Sequence, residues 1–166
     1  MNETYVECLV ERKKSALFSV VKYVLYGFAI ACVLWAFLGA IAMFLVAIVF
    51  AGAAYIIVPT FDIEYEYLYL DREISIDKVT AKSRRKRVMN IDLNKMEMFA
   101  PSTSHEFDSY NNRQHVDKDF SSGREDVKTY TIAYADNEQF TLVKFEPSEE
   151  LIKAVKTVFP RKVIEY

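Results

Sequence analysis

The sequence predicts an α+β chain: an N-terminal transmembrane helical hairpin, then a mostly antiparallel β domain, then a C-terminal helix that caps it. Three observations predict this order. Residues 23–61 are 39 consecutive positions without Asp, Glu, Lys, Arg or His. From Ile63 onward the hydropathy pattern repeats every two residues, as a half-buried strand requires. Near the end, Leu151, Ile152, Val155, Val158 and Phe159 fall on one face of a helix.

Residues 1–14 read as an amphipathic segment. Tyr5, Val6, Leu9 and Val10 fall at helical spacing, with Glu3, Glu7 and Glu11 on another side. That pattern predicts a short helix lying along the inner membrane surface, with a frayed terminus as the alternative.

Residues 15–61 read as the hairpin. One span needs roughly 20 apolar residues at about 1.5 Å rise each, so this run is twice what one upright helix uses. Spans at Ala16–Phe37 and Ala40–Val58 fit, with the turn around Leu38 and Gly39 and with Lys22 snorkelling to the interface. A soluble buried hairpin is disfavoured, because the 105 residues that follow are too few to cover two such helices on all sides. A cleaved signal peptide has an apolar core of only about 7–15 residues. Ala29-Ile30-Ala31-Cys32 lies mid-span and lacks the preceding Leu-like residue of a lipoprotein cleavage site. Arg12, Lys13, Lys14 and Lys22 flank the first span while the short turn is uncharged, so the positive-inside rule predicts a multi-pass cell-membrane protein with both termini in the cytoplasm. Cys8 precedes the spans and Cys32 lies within one, so no disulfide framework is expected, as suits a reducing compartment.

Residues 62–166 read as the cytoplasmic domain. Pro59 closes the second span, and Ile63, Tyr65, Tyr67 and Tyr69 then alternate with Glu64, Glu66, Leu68 and Leu70. Asp71-Arg72 predicts a tight turn into a second strand carrying Ile74 and Ile76. Further strands are expected at Arg87–Leu93, Lys95–Ala100, Val127–Ala135 and Phe140–Phe145, the last two joined by Asp136-Asn137-Glu138. Between them, residues 101–123 are rich in Ser, Asp and Asn, with Phe107, Tyr110, Val116 and Phe120 as scattered anchors. This predicts a long loop, either a binding loop or a floppy insertion, and the composition favours the second. The closing helix, 148–159, opens on Ser148 as a cap with Glu149 and Glu150 at the positive end of the dipole, and Pro160 stops it.

In this order the chain resembles bacterial membrane-anchored proteins carrying a pleckstrin-homology-like (PH-like) domain, and within them a family of small, uncharacterised two-span proteins. The likeness is carried by EYEYLYLDREISIDKV from Glu64 to Val79, by the basic run after it, and by FEPSEELIKAVKTVFPRKV from Phe145 to Val163. It implies a bent sandwich or partly open barrel capped at one end by the helix, with no catalytic residues to carry over; no cofactor is expected. Phosphoinositide-binding members of the wider superfamily place basic residues in a roomy loop between the first two strands. Here that position is read as the turn Asp71-Arg72, which argues against such recognition.

The sharpest local feature is Lys82-Ser83-Arg84-Arg85-Lys86-Arg87. Its residues Lys82, Arg84, Arg85, Lys86 and Arg87 are the candidate membrane-surface or partner contact, weighed against a solvated hairpin of ordinary charge. Nucleic-acid binding is not expected, because residues 62–166 hold 17 Lys and Arg against 20 Asp and Glu. His105 and His115, near Glu106, Asp108 and Asp117, match no metal-ligand spacing. Tyr65, Tyr67 and Tyr69 read as core or membrane-facing interface before they read as a groove. No phosphate-binding Gly loop, catalytic triad order or zinc-hydrolase helix is present, so an enzyme is not expected. The expected function is a non-catalytic binding or scaffolding module whose partner is the lipid bilayer or another membrane protein. The alternative is an accessory subunit of a transporter or other membrane complex, its spans packed through Gly39, Ala40, Gly52, Ala53 and Ala54.

Overall fold

A computed structural model describes residues 5–14, 16–111, 113–136 and 139–164, which divide into two compact units. The first comprises residues 13–63 with the turn at residues 80–83. Its helices are α1 (Ala16–Phe37) and α2 (Met43–Thr60), both long and apolar enough to cross a membrane. Ser15, the first residue of the expected hairpin region 15–61, lies outside the described residues. Gly39 makes the predicted turn at φ +106°, a value that Cβ-bearing residues rarely adopt. The second helix starts at Met43 rather than Ala40, because residues 40–42 complete the turn, with the Met43 N–H donating to the Ala40 carbonyl at 2.8 Å.

Small residues set the approach of the two helices: Ala36, Ala47 and Ala54 are buried, and Phe28 stacks on Phe50 at 5.5 Å. Most large side chains point outward, including Leu34, Trp35, Leu45, Ile48 and Tyr55. Pro59 sits in the last turn of α2, which ends one residue later. At the base of the hairpin, Lys14 pairs with Asp62 at 2.8 Å and Phe18 lies against Phe61 at 5.6 Å. The Ala81 N–H donates to the Asp62 carbonyl at 3.0 Å, tying the turn at residues 80–83 to the same place.

The second unit contains two sheets. One has the order β1-β2-β3-β4, from β1 (Val6–Glu11), β2 (Ile63–Leu70), β3 (Glu73–Thr80) and β4 (Arg84–Asp92). The other has the order β5-β7-β8-β6, from β5 (Met96–Pro101), β6 (His115–Asp119), β7 (Tyr130–Asp136) and β8 (Gln139–Phe145). The class is the α+β arrangement that the sequence predicts. Of the turn joining β7 to β8, Asn137 and Glu138 lie outside the described residues.

The N-terminal segment is a strand and not the expected amphipathic helix. β1 is antiparallel to β2, with Val6 opposite Tyr69 and Glu11 opposite Glu64. Its apolar residues satisfy two periods at once: Val6, Leu9 and Val10 suit a helix, whereas Val6, Cys8 and Val10 suit a strand, and pairing with β2 selects the strand. Glu3, placed on that helix from sequence, lies outside the described residues.

Between the sheets, Tyr67, Ile74, Ile76, Ile91, Phe99 and Phe145 are fully buried. Phe145 makes edge contact with Tyr67 at 5.3 Å and stacks on Phe99 at 5.7 Å, so one ring joins both sheets. Tyr65, Tyr67 and Tyr69 are all buried, which makes that stripe core. The helix α4 (Glu149–Val158) buries Leu151, Ile152 and Val155, and Ser148 Oγ accepts from the Leu151 N–H at 3.2 Å as its cap. The chain after it runs beside β5, with Phe99 and Val163 forming a parallel bridge.

The segment 101–123 is not a structureless loop. A 3-10 turn at His105–Phe107, the short helix α3 (Asp108–Asn111) and β6 occupy it. Phe107 is buried with Met98, Ala100, Ala133, Phe140 and Leu142 in a second small core, and Tyr110 stacks on Phe140 at 5.3 Å. Phe120 meets Tyr65 edge-on at 5.5 Å, and its carbonyl accepts from the Tyr67 hydroxyl at 2.7 Å. Three of the four scattered aromatic and aliphatic residues are therefore anchors, while Val116 stays exposed.

Candidate functional site

The cationic run occupies the turn before β4 and the first part of that strand. β4 is an edge of its sheet, and a row of Lys and Arg on an edge discourages pairing with other chains. Its first half therefore has a structural reason to be charged. Two of the five candidate residues also have buried counter-ions. Arg85 Nη2 lies 2.9 Å from Glu66 Oε1 and 2.7 Å from Oε2, and Glu66 is only 1% exposed. Arg87 Nε donates to Asp77 Oδ1 at 3.2 Å, and Asp77 is also buried. Removing either cation would strand a buried carboxylate, so Arg85 and Arg87 hold β4 against β2 and β3.

Glu66 is linked further to Glu7 of β1 by a carboxyl hydrogen bond. Burial pushes the Glu66 carboxyl above its ordinary range, and the bond to Glu7 adds to that rise. Glu7, exposed, is held below its ordinary range by the hydrogen bonds from Glu66 and then from Tyr5, whose hydroxyl lies 2.8 Å from Glu7 Oε2. The Glu7–Glu66–Arg85 chain thus fastens three strands of one sheet.

Lys82, Arg84 and Lys86, the other three candidates, are exposed. Lys82 follows Ala81 in a two-residue turn whose central φ values are 54° and 55°, the left-handed region that suits Gly and Asn. The structure therefore splits the run in two: Arg85 and Arg87 serve the sheet, and Lys82, Arg84 and Lys86 face outward. Sequence reasoning missed Glu66 and Asp77 as partners. The available signal was acidic residues standing between buried tyrosines and isoleucines on β2 and β3.

The two histidines do not converge. His105 Nδ1 lies 3.6 Å from Asp108, and His115 Nε2 lies 3.5 Å from Asp117. Among the described residues no group of three or more His, Cys, Asp or Glu is placed to hold a metal ion. Two open grooves, of about 640 and 400 Å³, share Thr103, Asp119 and Lys144 beside β6 and β8. Their linings mix lysines with a comparable number of carboxylates, so neither selects a ligand charge.

Two four-stranded sheets around a common core, closed by a C-terminal helix, define a PH-like domain, here with an apolar helical hairpin between its first two strands. The chain belongs to the bacterial PH-like domain family DUF6106, whose model matches residues 2–165. No curated protein and no solved structure matches it. With β1 in place, Asp71-Arg72 joins the second and third strands of the domain, which corrects the sequence reading of it as the first connection. The first connection is the whole stretch from Arg12 to Asp62, beginning with Arg12, Lys13 and Lys14. The shortness of Asp71-Arg72 therefore carries no argument about phosphoinositides.

Proposed function

We propose that this chain is a non-catalytic binding or scaffolding module held at the cell membrane by its helical hairpin, with both termini in the cytoplasm. One observation carries the reading: the hairpin is inserted between β1 and β2, whose ends Glu11 and Glu64 are strand partners. The sheet can close only if both ends of the hairpin emerge on one side of the bilayer, and the charges of Arg12, Lys13 and Lys14 favour the cytoplasmic side. Outward-facing Leu34, Leu45 and Ile48 are the side chains that lipid would cover. A domain tethered at two adjacent strands meets membrane partners at high effective concentration, so a modest interface suffices. Two buried polar groups, Glu66 paired with Arg85 and the Tyr67 hydroxyl bonded to the Phe120 carbonyl, are engaged in holding the sheets, which supports a non-catalytic role.

The test is crosslinking and detergent pull-down of the full-length protein from its native membrane. It is run beside a chimera in which an unrelated two-span hairpin replaces residues 16–60. Recovery of the same partner with both proteins supports the module. Loss with the chimera supports the accessory-subunit reading instead. One observation favours that alternative: an apolar groove of about 300 Å³ between α1 and α2, floored by Ala29, Ala47 and Ala51. A neighbouring helix could seat there through small residues.

A further inference from the structure

We infer that Lys82, in the turn bonded to the foot of the second span, is a contact for the anionic headgroup layer of the membrane, with Arg84 and Lys86 following it in the chain. The inference rests on the reading that α1 and α2 cross the bilayer. α2 ends at Thr60, and Asp62 follows two residues later. The Asp62 carbonyl accepts from the Ala81 N–H at 3.0 Å, so the turn carrying Lys82 is bonded to the foot of the span. Lys82 therefore stands at headgroup level, in the same unit as Lys13 and Lys14. Asp62, an acidic side chain of the same unit, is paired with Lys14 at 2.8 Å. Arg84 and Lys86 follow two and four residues later, at the start of β4.

Two further observations point to a lipid surface. The β domain, residues 62–166, has an excess of acidic groups, so an anionic membrane repels it as a whole and attracts it only where cations are concentrated. Moreover, Lys82 occupies a left-handed backbone position at φ 55°, and Ala81 another at φ 54°. Gly or Asn would fit either position without strain, and at Lys82 the side chain that bears the cost is an exposed cation. Arg85 and Arg87 do not belong to the surface, because their guanidinium groups are spent on Glu66 and Asp77.

The test uses the full-length protein with Cys8→Ser, Cys32→Ala and Ser83→Cys, carrying a fluorophore at position 83 beside Lys82. It is reconstituted in phosphatidylcholine vesicles, or in vesicles with about one third phosphatidylglycerol, where the expected result is a roughly twofold fall in acrylamide quenching. The fall is reversed by high salt and absent in the K82E/R84E/K86E variant, whose near-ultraviolet circular dichroism matches the parent. Equal quenching in the two lipids overturns the inference. So does protection that appears only in native membrane vesicles, which would make the occupant a protein. Alkaline extraction of the same vesicles separates this outcome from failure of the spans: a protein that leaves the bilayer refutes the membrane-crossing reading itself.

Discussion

Glu11, the last residue of β1, is the antiparallel partner of Glu64 in β2, so the chain leaves the sheet, makes both apolar helices and returns beside its point of departure. Paired positions of this kind have Cβ atoms about 4.5–5.5 Å apart. Cysteines placed by E11C and E64C, in a background without Cys8 and Cys32, should therefore be joined by a short bismaleimide in intact membranes. Both should also react with a membrane-impermeant thiol reagent from the same side. Mobility on a denaturing gel reads the crosslink, and labelling of right-side-out against inverted vesicles reads the side. Reaction of the two cysteines from opposite sides would refute the hairpin.

Arg85 and Glu66 give a prediction about stability. Arg85→Gln leaves a buried carboxyl group without its cation. Loss of a buried pair typically costs about 3–5 kcal/mol, and because Arg85 is itself half exposed, a cost of about 2 kcal/mol is expected. Arg84→Gln, which removes an outward charge, should change stability by less than about 0.5 kcal/mol. Thermal melts of the two purified variants test the difference, and equal melting temperatures would mean that the Arg85 pair contributes nothing.

The same cluster should respond to pH. Glu66 has a raised folded-state pKa, so its contribution to stability is fully present below the unfolded carboxyl value and is lost as pH rises through the folded one. Glu7 is lowered, so its contribution is present above the unfolded value and disappears as pH falls through the folded one. Melting temperatures of the parent and E66Q, taken between about pH 4 and pH 8, should show the parent's relative advantage shrinking as pH rises. For E7Q the trend should run the other way, with the parent's advantage growing from acid toward neutral pH. Parallel curves for parent and E66Q would rule out a raised Glu66.

Phe107 ties the polar segment to the second sheet. Phe107→Ala should cost about 3 kcal/mol, the low end for a buried Phe, since the site lies under one short segment able to relax. Hydrogen exchange should accelerate most over residues 102–111, while the strands carrying Phe99 and Phe145 remain protected. Uniform acceleration across the domain would mean that the second core is not a separate layer.

What the sequence made legible follows from the range of the interactions involved. The first helix, Ala16–Phe37, and the strand pair around Asp71-Arg72 are written in local hydropathy and turn chemistry, and both stand where predicted. β1 was not legible, because Val6 and Val10 suit both periods and the deciding partner, β2, lies beyond the hairpin. Phe107 and Tyr110 were legible as anchors but not as a layer, since their partners Ala133 and Phe140 come from later strands. The basic run was visible as one object. Its division into Arg85 and Arg87 against Lys82, Arg84 and Lys86 depends on Glu66 and Asp77, which are far from it in the chain.

Lys82 offers a prediction in which stability and contact move apart. Its φ of 55° places a β-carbon where L-residues are disfavoured, at a cost of about 1 kcal/mol that glycine does not bear. Lys82→Gly should therefore stabilise the folded protein by about 0.5–1 kcal/mol, because relief of strain outweighs the freedom glycine adds to the unfolded chain. If the lysine is kept for its charge, the same substitution should weaken association with phosphatidylglycerol-containing vesicles. Melting temperature and acrylamide quenching at position 83, measured on one preparation, test both halves. A variant that is less stable would show that the Lys82 side chain packs rather than projects, and unchanged quenching in a more stable protein would leave its charge without a role at the membrane.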